Sequence, residues 1–332
     1  MLRGNELHAN RIFDLHNAAN RDNCFAPYAA LSETFQSRGI ELNTVDMNSG
    51  ESISFELHQN VQQSEGGIPT YLMLFETSLI CPANVDVSAH YRKVFTWDDT
   101  RVDGDRYIKF NFPNQMTIPA IDGFFHRDRF CCLIAGNKSP KQHDARELYS
   151  ERVQAIQWFE NNAPEDFDLY GTDWDLPSAK TGFLSRVKRR LWRKLSGWVQ
   201  MKPFPSYRGK VERKLDVLRR TRFSICYENM RDMPGYITEK LFDCFFAGCV
   251  PVYWGANNVC DHVPPDCFID RRQFQDTAAV YKYLKAMDEL TFIGYQQRIA
   301  SFIASDAAKP FSAEAFAETI VSTIVQDLGC IA

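Results

Sequence analysis

Residues Arg222–Phe268 read RFSICYENMRDMPGYITEKLFDCFFAGCVPVYWGANNVCDHVPPDCF, and this stretch decides the fold. Apolar residues alternate over Phe223–Tyr227 as in a strand, and a second short strand is predicted over Val250–Tyr253. Between them a helix is predicted from about Glu239 to Ala247, followed by a glycine where a helix commonly stops. The stretch therefore predicts a β–α–β unit, which binds ligands at the carboxyl ends of its strands.

Polar side chains cluster where the loop after the first strand meets this helix. A helix N-terminus offers unpaired N–H groups and a partial positive charge, which suit a diphosphate. Thr238 is a suitable N-cap, Lys240 adds a cation in the first turn, and Glu239 can accept two ribose hydroxyls. Tyr236 can stack on a ligand or donate a hydrogen bond. An ordinary capped helix would share some of these features, so the interpretation depends on the whole pattern.

The combination of YEN at 227–229, YITEK at 236–240 and VPVYWG at 250–255 resembles the signature of the α1,3/4-fucosyltransferase family, glycosyltransferase family 10. The resemblance is closest to bacterial-type members. It implies an α/β GT-B fold, in which two Rossmann-like domains face a central cleft. It also implies an inverting α-(1,3)-fucosyltransferase that moves L-fucose from GDP-β-L-fucose to a glycan hydroxyl, with O3 of N-acetylglucosamine expected.

The length of 332 residues is long for one hydrophobic core, so two domains are expected. We expect an acceptor-binding Rossmann-like domain over residues 1–172 and a GDP-sugar-binding one over residues 173–310. The last segment, residues 311–332, is expected to form a helix that returns to the N-terminal domain, as the family resemblance implies.

Hydrophobic patterns predict further helices and strands along the chain. The predicted helices cover Tyr28–Arg38, Ala145–Asn161, 278–288, 293–305 and Ser312 to about Leu328. The predicted strands cover Ile40–Val45, Thr70–Phe75, Tyr91–Asp98, Phe130–Ala135 and Phe167–Tyr170.

Inverting transfer requires one base that takes the proton of the acceptor hydroxyl. Glu76 is the candidate, because it directly follows a buried strand and matches the position of the family's proposed base. The family has ESP at this point and this chain has ETS, which keeps the carboxylate but changes the loop. Asp98 and Asp99 are the rivals, since they also follow a strand.

The donor site is expected to combine the helix N-terminus with residues that match the family motifs. Arginine suits a diphosphate because its planar fork bonds two oxygens at once. The resemblance places such an arginine at Arg146, with Arg152 as the alternative. The expected donor-binding residues are Arg146, Glu228, Asn229, Tyr236, Thr238, Glu239 and Lys240. Residues expected to line the pocket wall are Asn137, Trp254 and Asn257.

We expect neither a metal nor another cofactor. The D-x-D triplets at 103–105 and 173–175 resemble manganese-binding motifs, but triplets this short arise often by chance. Cys249, Cys260, His262 and Cys267 lack the regular spacing of a zinc site. The family resemblance instead implies that fixed cations and a helix N-terminus stabilise the diphosphate.

The net charge of −4 argues against a general nucleic-acid binder. The first sixteen residues show no apolar signal sequence, and ten scattered cysteines suggest reduced thiols, so a cytoplasmic location is expected. Residues 184–201 predict a basic amphipathic helix, which either docks peripherally on an anionic inner-membrane surface or links the domains. The expected partners are GDP-fucose and an oligosaccharide or lipid-linked glycan of lipopolysaccharide biosynthesis or protein glycosylation.

Two other functions fit the same residues. A catalytically silent protein that binds sugar nucleotides or glycans would keep the fold but would need no base at Glu76. A transferase using another GDP-sugar would keep YITEK, because such donors share the nucleotide and the phosphates.

Overall fold

The computed structural model describes residues 1–4, 7–48, 53–63, 67–85, 87, 90–140, 143–179, 183–195 and 202–329. Its first sheet has five parallel strands in the order in which they occur along the chain. They are β1 (Leu2–Arg3), β2 (Glu56–Gln59), β3 (Thr70–Leu74), β4 (Tyr91–Thr96) and β5 (Tyr107–Lys109). The continuous apolar run predicted at β3 is confirmed as a fully buried strand.

The second sheet has six parallel strands in the order β11-β10-β9-β6-β7-β8. They are β6 (Arg129–Ile134), β7 (Phe167–Tyr170), β8 (Tyr207–Gly209), β9 (Thr221–Tyr227), β10 (Val250–Trp254) and β11 (Ile269–Asp270). The winding direction reverses between the neighbouring strands β6 and β9. In open α/β sheets, ligands bind beyond the carboxyl ends of the strands at such a reversal.

Eight α-helices accompany the sheets within the described residues. They are α1 (Ala26–Ser37), α2 (Tyr149–Asn162), α3 (Phe183–Leu195), α4 (Lys214–Arg219), α5 (Glu239–Phe246), α6 (Thr277–Ala286), α7 (Glu289–Ile303) and α8 (Ala313–Asp327). Among the residues described, no helix combines the length and the apolar character needed to span a bilayer.

The chain divides into two compact units whose boundaries differ from the expected ones. The first unit comprises Met1–Met116, Pro234–Glu239 and the segment from Asp306 onward, and the second comprises Thr117–Met233 and Lys240–Ser305. The expected boundary at 172/173 differs because β6 and β7 pair within the second sheet. The sequence of an isolated buried strand does not say which sheet it joins.

The core of the first unit depends on its last helix. Helix α8 packs against α1 and buries Phe316, Ile320 and Ile324 completely or nearly so. The Tyr71 hydroxyl of β3 donates to the Asp327 carboxylate at 2.6 Å, which ties the end of α8 to the sheet. The helix predicted from Ser312 is confirmed, with Ser312 as its N-cap.

The predicted strand Ile40–Val45 is wrong. Only Thr44 makes an isolated bridge, to Leu2, and a 3-10 turn follows at Val45–Met47. The Thr44 hydroxyl donates to the Asp46 carboxylate at 2.7 Å, and the carboxylate also accepts the Ala9 N–H at 2.7 Å. These local side-chain bonds compete with a strand ladder, and a hydrophobic pattern does not register them.

Residues 196–201 of the predicted basic helix lie outside the described residues. The helix itself is confirmed over Phe183–Leu195.

Candidate functional site

The site in the second unit is built at the end of β9. Glu228 follows the strand and is completely buried, and its backbone N–H donates to the Trp254 carbonyl at 2.8 Å. The Lys240 ammonium, in the first turn of α5, donates to the Glu228 carboxylate at 3.1 Å. A Cβ added to Gly255 would lie 2.5 Å from the Glu228 Cγ, so the glycine of VPVYWG makes room for this carboxylate.

Arg152 holds the backbone at this strand end. It is 4% exposed, and it donates to the Tyr227 carbonyl from Nε at 3.2 Å and from Nη2 at 2.6 Å. Nη2 also donates to the Asn229 side-chain oxygen at 3.0 Å. These bonds fix the backbone immediately before Glu228 and the side chain immediately after it.

Helix α2 begins at Tyr149 and not at the predicted Ala145. Arg146 therefore lies in the loop before the helix and not in its first turn. A short antiparallel bridge joins Glu147 to Met230 and brings Arg146 beside the motif at 228–229. The Arg146 guanidinium bonds the Asp144 carboxylate at 3.0 and 2.8 Å, and these bonds lower the pKa of Asp144. With its side chain 45% exposed, Arg146 is the more accessible of the two candidate arginines. Which of the two arginines contacts the diphosphate stays a prediction.

The three expected wall residues have different environments. Asn137 is buried, and its Nδ2 donates to the carbonyls of Asp173 and Leu176 at 2.9 and 3.0 Å, so it fixes the loop after β7. Asn257 is exposed, and its carbonyl accepts a bond from Arg272. Trp254 lies against the guanidinium groups of two arginines and borders an open cavity.

This cavity has a volume of about 520 Å³. Arg231 and Arg271 lie over the Trp254 ring, with their guanidinium carbons 5.3 and 5.2 Å from its centroid. The lining also includes the acidic side chains Glu151, Asp232 and Asp276. Sequence reasoning missed both arginines, because neither belongs to a recognised motif and only the fold brings them to Trp254.

The segment Pro234–Glu239 groups with the first unit. Tyr236 is 1% exposed, and its ring packs on Trp97 and Phe112 with centroids 4.7 and 5.7 Å apart. Gly235 has φ +80°, and a Cβ there would lie 2.2 Å from the Trp97 carbonyl oxygen, so only glycine fits. The rings of the first unit therefore cover Tyr236, while Thr238 directly precedes α5 as an N-cap residue would.

Glu76 lies two residues beyond the end of β3 in the first unit and is half-buried. The nearby Tyr28 hydroxyl is buried, and burial, with smaller effects of Cys24 and Glu76, raises the pKa of this phenol. The rival Asp99 is bound by Lys109 at 2.5 Å. Asp98 accepts both the N–H and the hydroxyl of Thr100, at 3.0 and 2.6 Å. Local bonds thus engage both aspartates, and the assignment of Glu76 as the base stays a prediction.

Within the described parts of the chain, no group of three or more histidine, cysteine or acidic side chains could hold a metal ion. In the D-x-D at 103–105, Asp103 accepts the backbone N–H groups of Tyr107 and Asp105, which lower the pKa of its carboxyl group. Asp103 therefore stabilises a turn.

The fold class follows from a comparison with solved structures. A crystal structure of an α1,3-fucosyltransferase superposes with a TM-score of 0.52 and 12% identity, covering 90% of this chain and 83% of that chain. Two parallel α/β sheets with flanking helices confirm the predicted α/β, GT-B class.

A family model matches part of the sequence, most of it in the second unit. The model described as glycosyltransferase family 10 (fucosyltransferase) C-term matches residues 178–297, so the chain carries a domain of this family and the predicted resemblance is confirmed.

One curated relative extends this similarity beyond the residues that the family model matches. A rat 4-galactosyl-N-acetylglucosaminide 3-alpha-L-fucosyltransferase 9 is 39% identical over 71% of this chain and 54% of its own length. An alpha-(1,3)-fucosyltransferase FucT of Helicobacter pylori is 32% identical over 23% of this chain and 16% of its own length. The chain thus spans about half the length, or less, of these curated relatives.

Proposed function

We propose that this protein transfers L-fucose from GDP-β-L-fucose to a hydroxyl of a glycan. The observation that carries the proposal is the Lys240–Glu228 pair at the end of β9, inside the segment matched by the family 10 model. Strand β9 adjoins β6 at the reversal of the sheet, which is where open α/β sheets bind ligands.

The proposed reaction is a single displacement with inversion. The acceptor oxygen forms a bond to the anomeric carbon of fucose while the bond from that carbon to the diphosphate oxygen breaks. Glu76 takes the acceptor proton, and the departing GDP carries away the bonding electrons. Lys240 and the N–H groups at the start of α5 stabilise the charge that develops on the diphosphate, and Arg146 adds a planar donor.

The proposed acceptor is O3 of N-acetylglucosamine. The family resemblance suggests it, and the rat relative is named as a 3-fucosyltransferase of 4-galactosyl-N-acetylglucosaminide. We propose that the reaction needs no metal ion, since Lys240 and Arg146 provide positive charge for the diphosphate.

The test is acceptor-dependent release of GDP. GDP-fucose and other GDP-sugars are each supplied with N-acetyllactosamine and, separately, with no acceptor. We expect GDP release from GDP-fucose only, dependent on acceptor and unchanged by EDTA. Binding of GDP-fucose without turnover would favour the catalytically silent binding protein. Turnover of a different GDP-sugar would show that the donor is not GDP-fucose. Activity lost in EDTA and restored by manganese would contradict metal-independent stabilisation.

We further propose that α3 docks on an anionic membrane surface, which would place the protein at the cytoplasmic face of a membrane. Arg189 and Trp192 hold the helix to the second unit, since they donate to the carbonyls of Asn137 and Asp175, both at 3.1 Å. Lys188 and Arg190 are exposed, and Leu191 is 53% exposed. Exposed cations attract anionic lipid headgroups, and an exposed leucine beside them can insert at the boundary with the acyl chains.

Charge reversal on α3 should release the protein from vesicles. Each cation near an anionic surface contributes about 1 kcal/mol, so Lys188→Glu with Arg190→Glu should weaken binding by roughly thirtyfold or more. The measurement is cosedimentation with phosphatidylglycerol–phosphatidylethanolamine vesicles. The matched control reverses the exposed Arg219 and Lys282 of the same unit. No vesicle binding by the unaltered protein, or equal losses in both double variants, would contradict docking by α3.

A further inference from the structure

We propose that Asn60 and Asn84 are positioning residues that hold the Glu76 peptide in place for catalysis. The inference rests on the proposed function, because it assigns Glu76 the part of the base. Neither asparagine belongs to a sequence motif. Both lie in the first unit with Glu76, Asn60 in a loop 16 positions before it and Asn84 in a short 3-10 helix 8 positions after it.

Asn60 acts as an acceptor. It follows β2 with φ +57°, in the left-handed region that asparagine tolerates better than most residues. Its side-chain oxygen accepts the backbone N–H groups of Phe75 and Glu76 at 3.2 and 3.0 Å, and an N–H of the Asn84 side chain at 3.0 Å. One oxygen therefore accepts two consecutive backbone N–H groups at the end of β3.

Asn84 acts as a donor. It is 4% exposed, and besides its bond to Asn60 its Nδ2 donates to the Glu76 carbonyl at 2.7 Å. Its own side-chain oxygen accepts the Val61 N–H at 3.1 Å. The N–H and the carbonyl of Glu76 are thus both bonded to asparagine side chains that are bonded to each other. This clamp limits rotation of the backbone that carries the carboxyl group.

A general base works only within hydrogen-bonding reach of the proton that it removes, and a displacement of about 1 Å can cost on the order of a hundredfold in rate. Glu76 is in a loop and not within a strand, so no strand ladder fixes its position. The bonds from the two asparagines hold the peptide in place instead. Loop residues hold a precise geometry only when neighbouring groups bond them.

Asn60 supplies a hydrogen-bond acceptor and Asn84 supplies a donor, so aspartate substitutions should affect the two positions differently. An aspartate at 60 still accepts all three donors, whereas an aspartate at 84 loses the donor and places a charge against the Glu76 carbonyl. We therefore expect Asn84→Asp to lower kcat by about tenfold to a hundredfold, with KM for GDP-fucose within about twofold. Asn60→Asp should keep most of kcat.

Two further measurements separate positioning from simple loss of structure. The added charge of Asn60→Asp lies near Glu76, so it should shift the acidic limb of the pH–rate profile to higher pH if Glu76 is the group that titrates there. Asn60→Gly keeps the left-handed backbone but removes the acceptor, and it should lose kcat as Asn84→Asp does. The Asn60→Gly variant still tests the clamp if the Asn84→Asp protein fails to fold. GDP binding and the thermal transition are measured for every variant.

Asn48→Asp is the matched control, since it removes a side-chain donor from the Thr44 carbonyl in the same unit. Unchanged kcat in both Asn84→Asp and Asn60→Gly, with Glu76→Gln inactive, would overturn the clamp and leave the proposed function intact. Equal losses in Asn60→Asp and Asn60→Gly without a pH shift would also overturn it. Full turnover in Glu76→Gln would remove the proposed base and the clamp together.

Discussion

Lys240→Ala is expected to lower kcat/KM for GDP-fucose by about a hundredfold to a thousandfold, which is the usual effect of losing one group that stabilises developing charge. The substitution also leaves the completely buried Glu228 carboxylate without the ammonium 3.1 Å away. Losing one partner of such a pair costs up to about 3–5 kcal/mol. Donor affinity is measured by calorimetry with GDP and GDP-fucose, beside the steady-state kinetics and the urea midpoint.

A second substitution separates folding from donor binding. Lys240→Met with Glu228→Gln removes both charges together, so we expect much of the lost stability to return while GDP affinity stays low. The control is Lys285→Ala, which removes an exposed lysine that pairs with Asp166 at 3.0 Å and should change stability by less than about 1 kcal/mol. Normal GDP affinity in the Lys240→Ala protein would exclude this lysine from the diphosphate site.

Glu76→Gln is expected to reduce kcat by about a hundredfold to ten-thousandfold, the range of general-base effects, while GDP-fucose still binds. The amide keeps the size of the side chain and both backbone bonds to the asparagine clamp, so the fold should be retained. Single-turnover kinetics with saturating acceptor measure the chemical step directly.

Glu33→Gln serves as the control for this substitution, because Glu33 is an exposed glutamate on α1 of the same unit. Its kcat should equal that of the unaltered protein. If Glu76→Gln turns over at the normal rate, another group removes the acceptor proton, and Asp98 or Asp99 would be tested next.

The local elements around the donor motif were predictable because their signals are local. Apolar runs of strand length predict β3 and β6, alternation of apolar residues predicts β9, and spacing of three to four residues predicts α8. The glycine after α5 marks its end, and Gly248 indeed has φ +64°. Each of these signals lies within a few residues of the feature that it predicts.

Features that depend on contacts between distant residues were not predictable. Arg231 and Arg271 meet at Trp254 although 40 positions separate them in the sequence. Asn60 and Asn84 meet around Glu76 in the same way. The sheet assignment of β6 and β7 also depends on pairing partners that hydrophobic periodicity does not encode. Tertiary contacts, and not local propensity, therefore decided these features.

The first unit is built from segments that lie far apart in the sequence, so it cannot be completed until the end of the chain has been synthesised. As the nascent chain leaves the ribosome, β1–β5 emerge early, but α8, which covers α1, emerges roughly two hundred residues later. At about 5–20 residues per second, the apolar face of α1 that α8 covers stays exposed for roughly ten to forty seconds. During translation, we therefore expect chaperones to bind the first unit until α8 has emerged.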